Sequence, residues 1–586
     1  MDRHAASAAL ERARDALLAL QADAGWWKAE LETNVTMDAE DLLLRRFLGV
    51  DDAELTARAA GWIRSQQRSD GTWATFYEGP PDLSTTIEAY VALRLAGDDP
   101  EAPHMSKAAD FVRGAGGLER SRVFTRIWMA LFGEWSWEAL PAMPPEIMLL
   151  PASSPVSIYD FACWARQTVV ALTVVSAFRP TRALGFGIDE LRSGLPPLPP
   201  PARGTPAYGF HVLDRVLHGY ERHPLRPLRR AALAAAERWI VARQEADGSW
   251  GGIQPPWVYS MMALHLLGYP LDHPVMRAGF AGLDAFTIDD ERGRRLEACQ
   301  SPVWDTALAV VALSDAGIAR DAPALVRAAG WLLGEEVRVR GDWSVRRRDL
   351  EPGGWAFEFA NVNYPDTDDT AEVVLALRRV EHPDRAAVAA AIDRAVAWQR
   401  GMQCRDGGWG AFDVDNTRRW PTHLPFCDFG EVVDPPSADV TAHVVEMFAA
   451  LGSPADAEAT RRGVDWLLAE QEADGSWFGR WGVNHVYGTG AVVPALVEAG
   501  IAPAEPCIRR AVRWLEQHQN ADGGWGEDIR SYGDRSWVGR GASTASQTAW
   551  ALLALLAAAE RDSEATRRGV EWLVEHQLPD GGWDEP

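Results

Sequence analysis

One unit recurs along the chain and constrains its fold more than any other feature. An apolar helical residue is followed five positions on by Gln, and Asp-Gly-x-Trp ends six residues after that Gln. The first half carries it as Trp62/Gln67/Asp70-Gly71-Thr72-Trp73 and Trp239/Gln244/Asp247-Gly248-Ser249-Trp250. The second half carries Trp398/Gln403/Trp409, Trp466/Gln471/Trp477, Trp514/Gln519/Trp525 and Trp572/Gln577/Trp583. Gln21/Gly25/Trp26 reads as a looser copy, and Trp331 to Trp343 as a degenerate one. Consecutive copies lie roughly 45 to 70 residues apart, too uneven for a tight solenoid.

The residue types of the unit have a physical reading. The apolar-periodic stretch predicts a helix, as in Arg568–Gln577. Asp-Gly is expected to end it, because Gly tolerates the left-handed conformation of a C-terminal turn. Trp then folds back as a large apolar lid whose ring N–H needs a partner. The Gln can supply that bond or bind an orphan carbonyl. Further helices are expected between copies, such as Thr370–Val380 and Gln547–Ala559, and strand alternation is scarce. Helix pairs repeated around a circle give an α/α-barrel, and two clusters of repeats predict an all-α chain of two such barrels. In this reading the repeat Trp and Gln residues are architecture; sugar-binding Trp platforms sit exposed on β-scaffolds instead.

A chain of 586 residues exceeds one compact core. Its 47% hydrophobic and 24% charged content is that of a soluble globular protein, with 27 Trp outnumbering 18 Phe and 10 Tyr. The net charge of −25 argues against nucleic acid as a partner and against a polybasic lipid anchor. Only Lys28 and Lys107 are lysines, as a GC-rich genome would give. Cys163, Cys299, Cys404, Cys427 and Cys507 form no C-x-x-C pair, so neither a zinc site nor a disulfide framework is indicated. The N-terminus leads into an amphipathic helix rather than a signal region. The longest apolar runs, Thr168–Phe178 and Ala549–Ala559, are too short to span a bilayer. A cytoplasmic protein that touches a membrane without crossing it is the expectation.

Chemistry concentrates at Asp366-Thr367-Asp368-Asp369, between Pro365 and the helical run from Glu372. Proline ahead of the acids marks a helix start and puts the carboxylates in the first turn. One acid there would be a cap favoured by the helix dipole; three within four residues exceed what capping needs. Crowding and burial raise a carboxyl's pKa while the helix N-terminus lowers it. Facing an apolar cavity the three cannot all ionise, and a retained proton could pass to a base as weak as an alkene. Asp368-Asp369-Thr370-Ala371-Glu372 also formally fits a magnesium-diphosphate motif, but no second metal motif accompanies it. Asp413-Val414-Asp415-Asn416 begins like a calcium loop and fails at Arg418 and Leu424.

Together the repeats and the acids resemble the squalene–hopene cyclase family: the repeat is its Q-W motif and Asp366–Ala371 its D-x-D-D-T-A signature. The likeness runs from Gly25 to Pro586 and includes Asn34–Met37, Thr85–Tyr90, Gly251–Trp257, Ser301–Thr306, Asp439–His443 and Phe478–Asn484. It implies two α/α-barrels with a cavity between them, residues 1–18 with 300–586 forming the catalytic barrel and 19–299 the second. It implies Asp368 as proton donor, Asp366 and Asp369 as anionic neighbours, His443 as the hydrogen-bond partner of Asp368, and Asp439 and Asp305 in support. Cation-stabilising aromatics would be Trp164, Trp304, Phe357, Phe359, Phe412, Trp481 and Tyr487, since ring faces stabilise cations without acting as bases. Glu40, Glu88, Arg122, Gln254 and Tyr259 would hold the water that ends the reaction, and Phe161, Val169, Phe426 and Cys427 would line the lipid's entry channel.

The resemblance thus implies an enzyme that needs no cofactor and cyclises squalene to hopene and hopanol. Its partners would be the polyene lipid and one membrane leaflet at the cytoplasmic face, with a homodimer as the candidate assembly. Cyclases of oxidosqualene look different at the acid, and the doubled Asp368-Asp369 fits an unoxidised polyene. Another polyprenyl substrate, such as tetraprenyl curcumene or a prenyl diphosphate, stays open at this point. Family members continue past the last repeat into an aromatic segment that this chain, ending at Pro586, lacks; a lipid-binding relic without activity therefore also stays open.

Overall fold

The computed structural model describes residues 3–196, 198–428 and 430–585. They form two compact units. The first comprises residues 1–29, 301–415 and 435–586, and the second residues 30–300 and 416–434. This boundary departs from the expected one at two places, each with a local cause. Residues 19–29 join the first unit because Trp27 N–H donates to Thr306 Oγ1 (2.9 Å) and Ala29 N–H to Asp305 (2.8 Å). Residues 416–434 join the second, where Asn416 Nδ2 donates to Phe161 O (3.2 Å) and Ala162 N–H to Val432 O (2.9 Å).

In the first unit, helices Pro302–Asp315, Thr367–Leu377, Ala438–Leu451, His485–Glu498 and Ala545–Ala557 pack in sequence as an inner layer. Around them lie Pro323–Gly334, Arg385–Met402, Ala457–Glu470, Pro506–His518, Glu564–Glu575 and the N-terminal helix Arg3–Ala19. The repeat Gln residues link this outer layer. Gln403 Nε2 bridges Gly407 O of its own turn (2.8 Å) to Ala459 O at the start of the next outer helix (2.9 Å). Gln471 bridges Gly475 O to Cys507 O, and Gln519 bridges Gly523 O to Ala565 O. Gln577 reaches Ala9 O, and Gln21 reaches Ala324 O. The last step, back to Arg385–Met402, is the two-pronged Arg394–Glu336 ion pair at 2.6 Å. The chain of bridges therefore returns to its origin: the outer layer is a closed ring, completed by the N-terminal helix.

The Trp lids pin each outer helix to its own turn. Trp409, Trp477 and Trp525 donate from Nε1 to Gln399 O, Leu467 O and Leu515 O, always ten residues back, at 2.7–2.8 Å. The Gln thus takes the orphan carbonyls and leaves the Trp N–H to the helix. Two copies differ from the sequence reading. Trp27, not Trp26, is the lid of the first, donating to Leu17 O (2.7 Å). Trp355, not Trp343, closes the degenerate copy on Leu332 O (2.6 Å), because twelve further residues intervene before the turn closes. The glycines also do another job than expected. The helices end at or before the Gln, and the Gly sits in the turn beyond. Gly475 has φ +105°, and a Cβ there would meet Arg510 O at 2.8 Å.

The second unit repeats the scheme with inner helices Thr36–Leu48, Leu83–Leu95, Val123–Leu131, Cys163–Phe178 and Gln254–Leu266. Gln67 bridges Gly71 O to His104 O, and Gln244 bridges Gly248 O to Val275 O. Its short hairpin, Thr287–Asp290 with Gly293–Leu296, is held on the helix Thr36–Leu48 through Arg294 and Asp41 (2.8 Å). Both units are α/α-barrels, each with its own core.

Candidate active site

A single hydrogen bond sets the register of the inner helices. In five copies of the first unit the backbone N–H of the lid Trp donates to a Thr near the start of the following inner helix. Trp27, Trp355, Trp409, Trp477 and Trp525 donate to Thr306, Thr370, Thr441, Thr489 and Thr548, at 2.9–3.1 Å. The residues two before these threonines are Trp304, Asp368, Asp439, Tyr487 and Ser546. Those two after are Leu308, Glu372, His443, Ala491 and Trp550. Candidate residues scattered over 180 positions thereby fall at two levels of one ring.

The acidic segment is the most tightly held of these starts. Asp366 is the N-cap: its carboxylate accepts Asp368 N–H (2.6 Å) and its own N–H donates to Trp355 O (2.7 Å). Thr367 is fixed by Ala411 O, Gly410 O and the side chain of Gln399. Asp368 Oδ1 lies 2.6 Å from His443 Nδ1. Asp369 is 1% exposed, and its Oδ1 has no hydrogen-bond partner among the described residues.

Burial first, then Asp366, Asp368, Glu358 and Glu372, push Asp369 well above the ordinary carboxyl range. Burial among four other acids favours the neutral form of Asp369, where the resemblance implies an anionic neighbour of Asp368. Burial pulls His443 down, but Asp368, and after it Glu372 and Glu446, outweigh this and lift it to about 10. At neutral pH these shifts favour a charged His443 and protonation among the carboxyls beside it.

Both shifts bear on stability with the same sign. The contribution of His443 is complete below its ordinary value of 6.5 and is lost as pH rises through about 10. Asp369, also raised, costs more as pH climbs above the carboxyl range, since the folded state binds the proton the unfolded state releases. The first unit is predicted to melt at progressively lower temperature as pH rises from 6.5 to 10. Asp369→Asn should flatten the profile measured by calorimetry; a variant as steep as the parent would refute the assignment.

Aromatic rings flank the pair. The Trp304 ring centroid is 5.9 Å and that of Tyr487 6.4 Å from His443, and Trp550 packs on Tyr487 at 4.6 Å. Phe412 meets Trp481 edge-on at 5.9 Å. Asp439 Oδ2 accepts the N–H groups of Arg480 and Trp481 (2.9 and 2.7 Å), so it shapes the loop that carries Trp481. Asp305 holds Ala29 N–H and Ser301 Oγ, which makes it an anchor of the N-terminal segment. Phe359 is packed between Trp26 (5.1 Å) and Trp331 (6.2 Å), and Phe357 accepts Val303 N–H at its carbonyl (3.4 Å).

The remaining candidates lie in the second unit. Burial and Glu88 raise Glu40 to about 8, against hydrogen bonding from Trp128 and Gln254. Burial raises Glu88 to about 7, opposed by Arg122 and by the hydroxyl of Thr125. Arg122 also reaches Asp82 and Thr85 at 3.4 Å. Tyr259 packs between Phe124 (5.8 Å) and Trp128 (5.6 Å); its hydroxyl and Gln254 Oε1 are buried with no hydrogen-bond partner among the described residues. Phe161 stacks on Phe426 (6.4 Å) and meets Trp420 edge-on (5.5 Å). Val169 is buried beside them in the same core, and burial with Asp428 pushes the Cys427 thiol up to about 12. Trp164 Nε1 donates to Glu431 O (3.1 Å).

Sequence reading missed Glu358, Glu372, Glu446 and Trp550 around the acid, and Trp128 and Thr125 around Glu40 and Glu88. A signal existed for two of them. Glu372 and Trp550 each stand two residues after a repeat Thr, the level His443 occupies; Glu88 stands likewise after Thr86, which takes the N–H of Trp73.

This architecture aligns over 98% of the chain with 94% of the ent-copalyl diphosphate synthase structure from Streptomyces platensis, at TM-score 0.52 and 20% identity. That likeness shows the fold, that of the class II terpene cyclases. Sequence narrows the class. Family models of the squalene-hopene cyclase N-terminal and C-terminal domains match residues 10–292 and 300–586. The squalene–hopene cyclase of Alicyclobacillus acidocaldarius is 52% identical over 98% of this chain and 92% of its own length. That of Zymomonas mobilis is 41% identical over 98% and 90%. The chain belongs to the squalene–hopene cyclase family.

Proposed function

We propose that this chain cyclises squalene to hopene, with hopanol where water adds at the end, and that Asp368 delivers the initiating proton. The observation that carries the reading is the 2.6 Å contact between Asp368 and His443, with Asp369 buried next to them. With His443 charged, the conjugate base of Asp368 is stabilised by an ion pair, which makes its protonated form a stronger acid. The alkene's π pair forms the new C–H bond and leaves a tertiary cation. Each further double bond attacks in turn and closes a ring. Loss of a proton from the last cation gives hopene, so the reaction is redox-neutral and needs no co-reactant.

The rings of Trp304, Tyr487, Phe412 and Trp481 would stabilise the moving charge. The carboxyls of Glu40 and Glu88, poised near neutrality, would hold the water that takes up the final proton, together with Arg122, Gln254 and Tyr259. Phe161, Val169, Phe426 and Cys427 would admit the lipid. Contact with a membrane surface is supported by the helix Pro206–Arg222, which buries no side chain and leaves Val212, Leu213 and Val216 44%, 44% and 63% exposed. No described helix is long and apolar enough to cross a membrane. Purified protein incubated with squalene is expected to yield pentacyclic triterpenes in the extracted lipid. Turnover confined to another polyene, or binding without turnover, would overturn the assignment.

A further inference from the structure

Asp368 and Glu372 are four residues apart on one helix, so their side chains stand on the same face. His443 and Glu446 stand three apart on the neighbouring helix, packed against it. The bonds from Trp355 to Thr370 and from Trp409 to Thr441 place Glu372 and His443 at the same level of the ring. Glu372 is 6% exposed, and a carboxylate is not buried at such a level without a cationic partner at low cost. His443 spends Nδ1 on Asp368, leaving its other ring edge to be governed by what surrounds it. The groups that act on it are Asp368 and Glu372 on the neighbouring helix and Asp439 and Glu446 on its own, with the rings of Trp304 (5.9 Å) and Tyr487 (6.4 Å) beside it; Arg379 acts on Glu372 and Glu446, and Glu498 and Asp315 act on Glu446.

We propose that Glu372 is a positioning residue, which keeps the His443 imidazolium charged and turned toward Asp368 so that Asp368 delivers the proton. The inference deepens the reading above and rests on it for the reaction, but not for the coupling between the two side chains. The coupling acts in opposite directions on the two groups, lowering Glu372 against its burial and raising His443. Burial lifts Glu372 to about 7, with His443 as the first opposing influence, and Glu372 follows Asp368 among the groups that lift His443.

The test combines kcat and KM for squalene across pH with NMR of ¹⁵N-histidine-labelled full-length protein, the His443 signal being assigned by its loss in His443→Gln. In Glu372→Gln the His443 midpoint is expected to fall by about one pH unit. The alkaline limb of kcat should move with it, so that kcat at pH 10 drops about fivefold while kcat at pH 8 changes little, and KM should stay within about twofold. Glu372→Asp should restore part of both shifts. An unmoved His443 midpoint overturns the proposal, whatever happens to turnover. The parent protein offers a second measurement that needs no folded variant: its His443 signal should show a step near pH 7, where Glu372 titrates, and a single smooth transition would refute the coupling. If the parent fails to turn over squalene, the functional reading falls while both NMR measurements still decide this one.

Discussion

Asp368→Asn is expected to lower squalene turnover by about 10³-fold or more, in line with the upper range for loss of a positioned acid. Asn matches the carboxyl in volume and still presents an oxygen to His443, but it has no proton to give. Its effect on folding should be much smaller. Removing one partner of a buried ion pair ordinarily leaves an uncompensated charge. Here His443 can release its proton, and loss of the Asp368 charge relieves the crowding that burdens Asp369, Glu372 and Asp439. The informative comparison is product formation against the melting profile of the same preparation. A variant that folds like the parent and turns over at more than a tenth of its rate would remove Asp368 from the donor role.

Helix starts and repeats were legible in the sequence because their causes are local. Pro365 ahead of three acids, and Gln with Asp-Gly-x-Trp at fixed spacing, predict elements that the structure contains within two or three residues. Where the deciding partner is distant, the reading slipped. Trp343 matches the repeat spacing, yet the lid is Trp355, because the closing bond is made to Leu332 across an insertion. The segment 416–434 carries no boundary signal; its membership of the second unit rests on Asn416 reaching Phe161, 255 residues away in sequence.

The acid site divides along the same line. That a proton is retained could be argued from crowding alone, but not how the neighbouring acids differ in their surroundings. Asp369 lies next to Asp368 in sequence, yet Asp368 meets His443 at 2.6 Å while Asp369 Oδ1 is buried with no hydrogen-bond partner among the described residues. Glu372 reads as an ordinary helix residue until the Trp–Thr bonds align it with His443. Those bonds join turns to helices that follow after 12 to 32 residues in most copies and after 279 in the first, so no local pattern reveals the shared level.

Trp477→Ala should be the most destabilising single change outside the acid site, by about 3–5 kcal/mol for a fully buried indole. Trp477 does three things at once. Its ring fills the core of the first unit, Nε1 donates to Leu467 O at 2.7 Å, and its backbone N–H takes Thr489 Oγ1 at 3.1 Å. The last of these survives substitution, so the inner helix keeps its register while the outer helix loses its lid. Trp477→Phe retains most of the apolar area and forfeits the ring N–H bond; it should cost about 1–3 kcal/mol, the range for leaving a buried carbonyl unpaired. Gln471→Ala removes the bonds to Gly475 O and Cys507 O, both 2.9 Å, and should fall in the same range by the same argument. Because two barrels unfold in one chain, the comparison belongs in calorimetry, where the transition of the first unit should move and that of the second should not. The Gln bridges make the outer ring closed, and breaking one link of a ring frees both of its ends. Gln471→Ala and Gln519→Ala combined should therefore cost less than the sum of the two singles. Strict additivity would mean that the bridges act as separate clamps and that closure contributes nothing of its own.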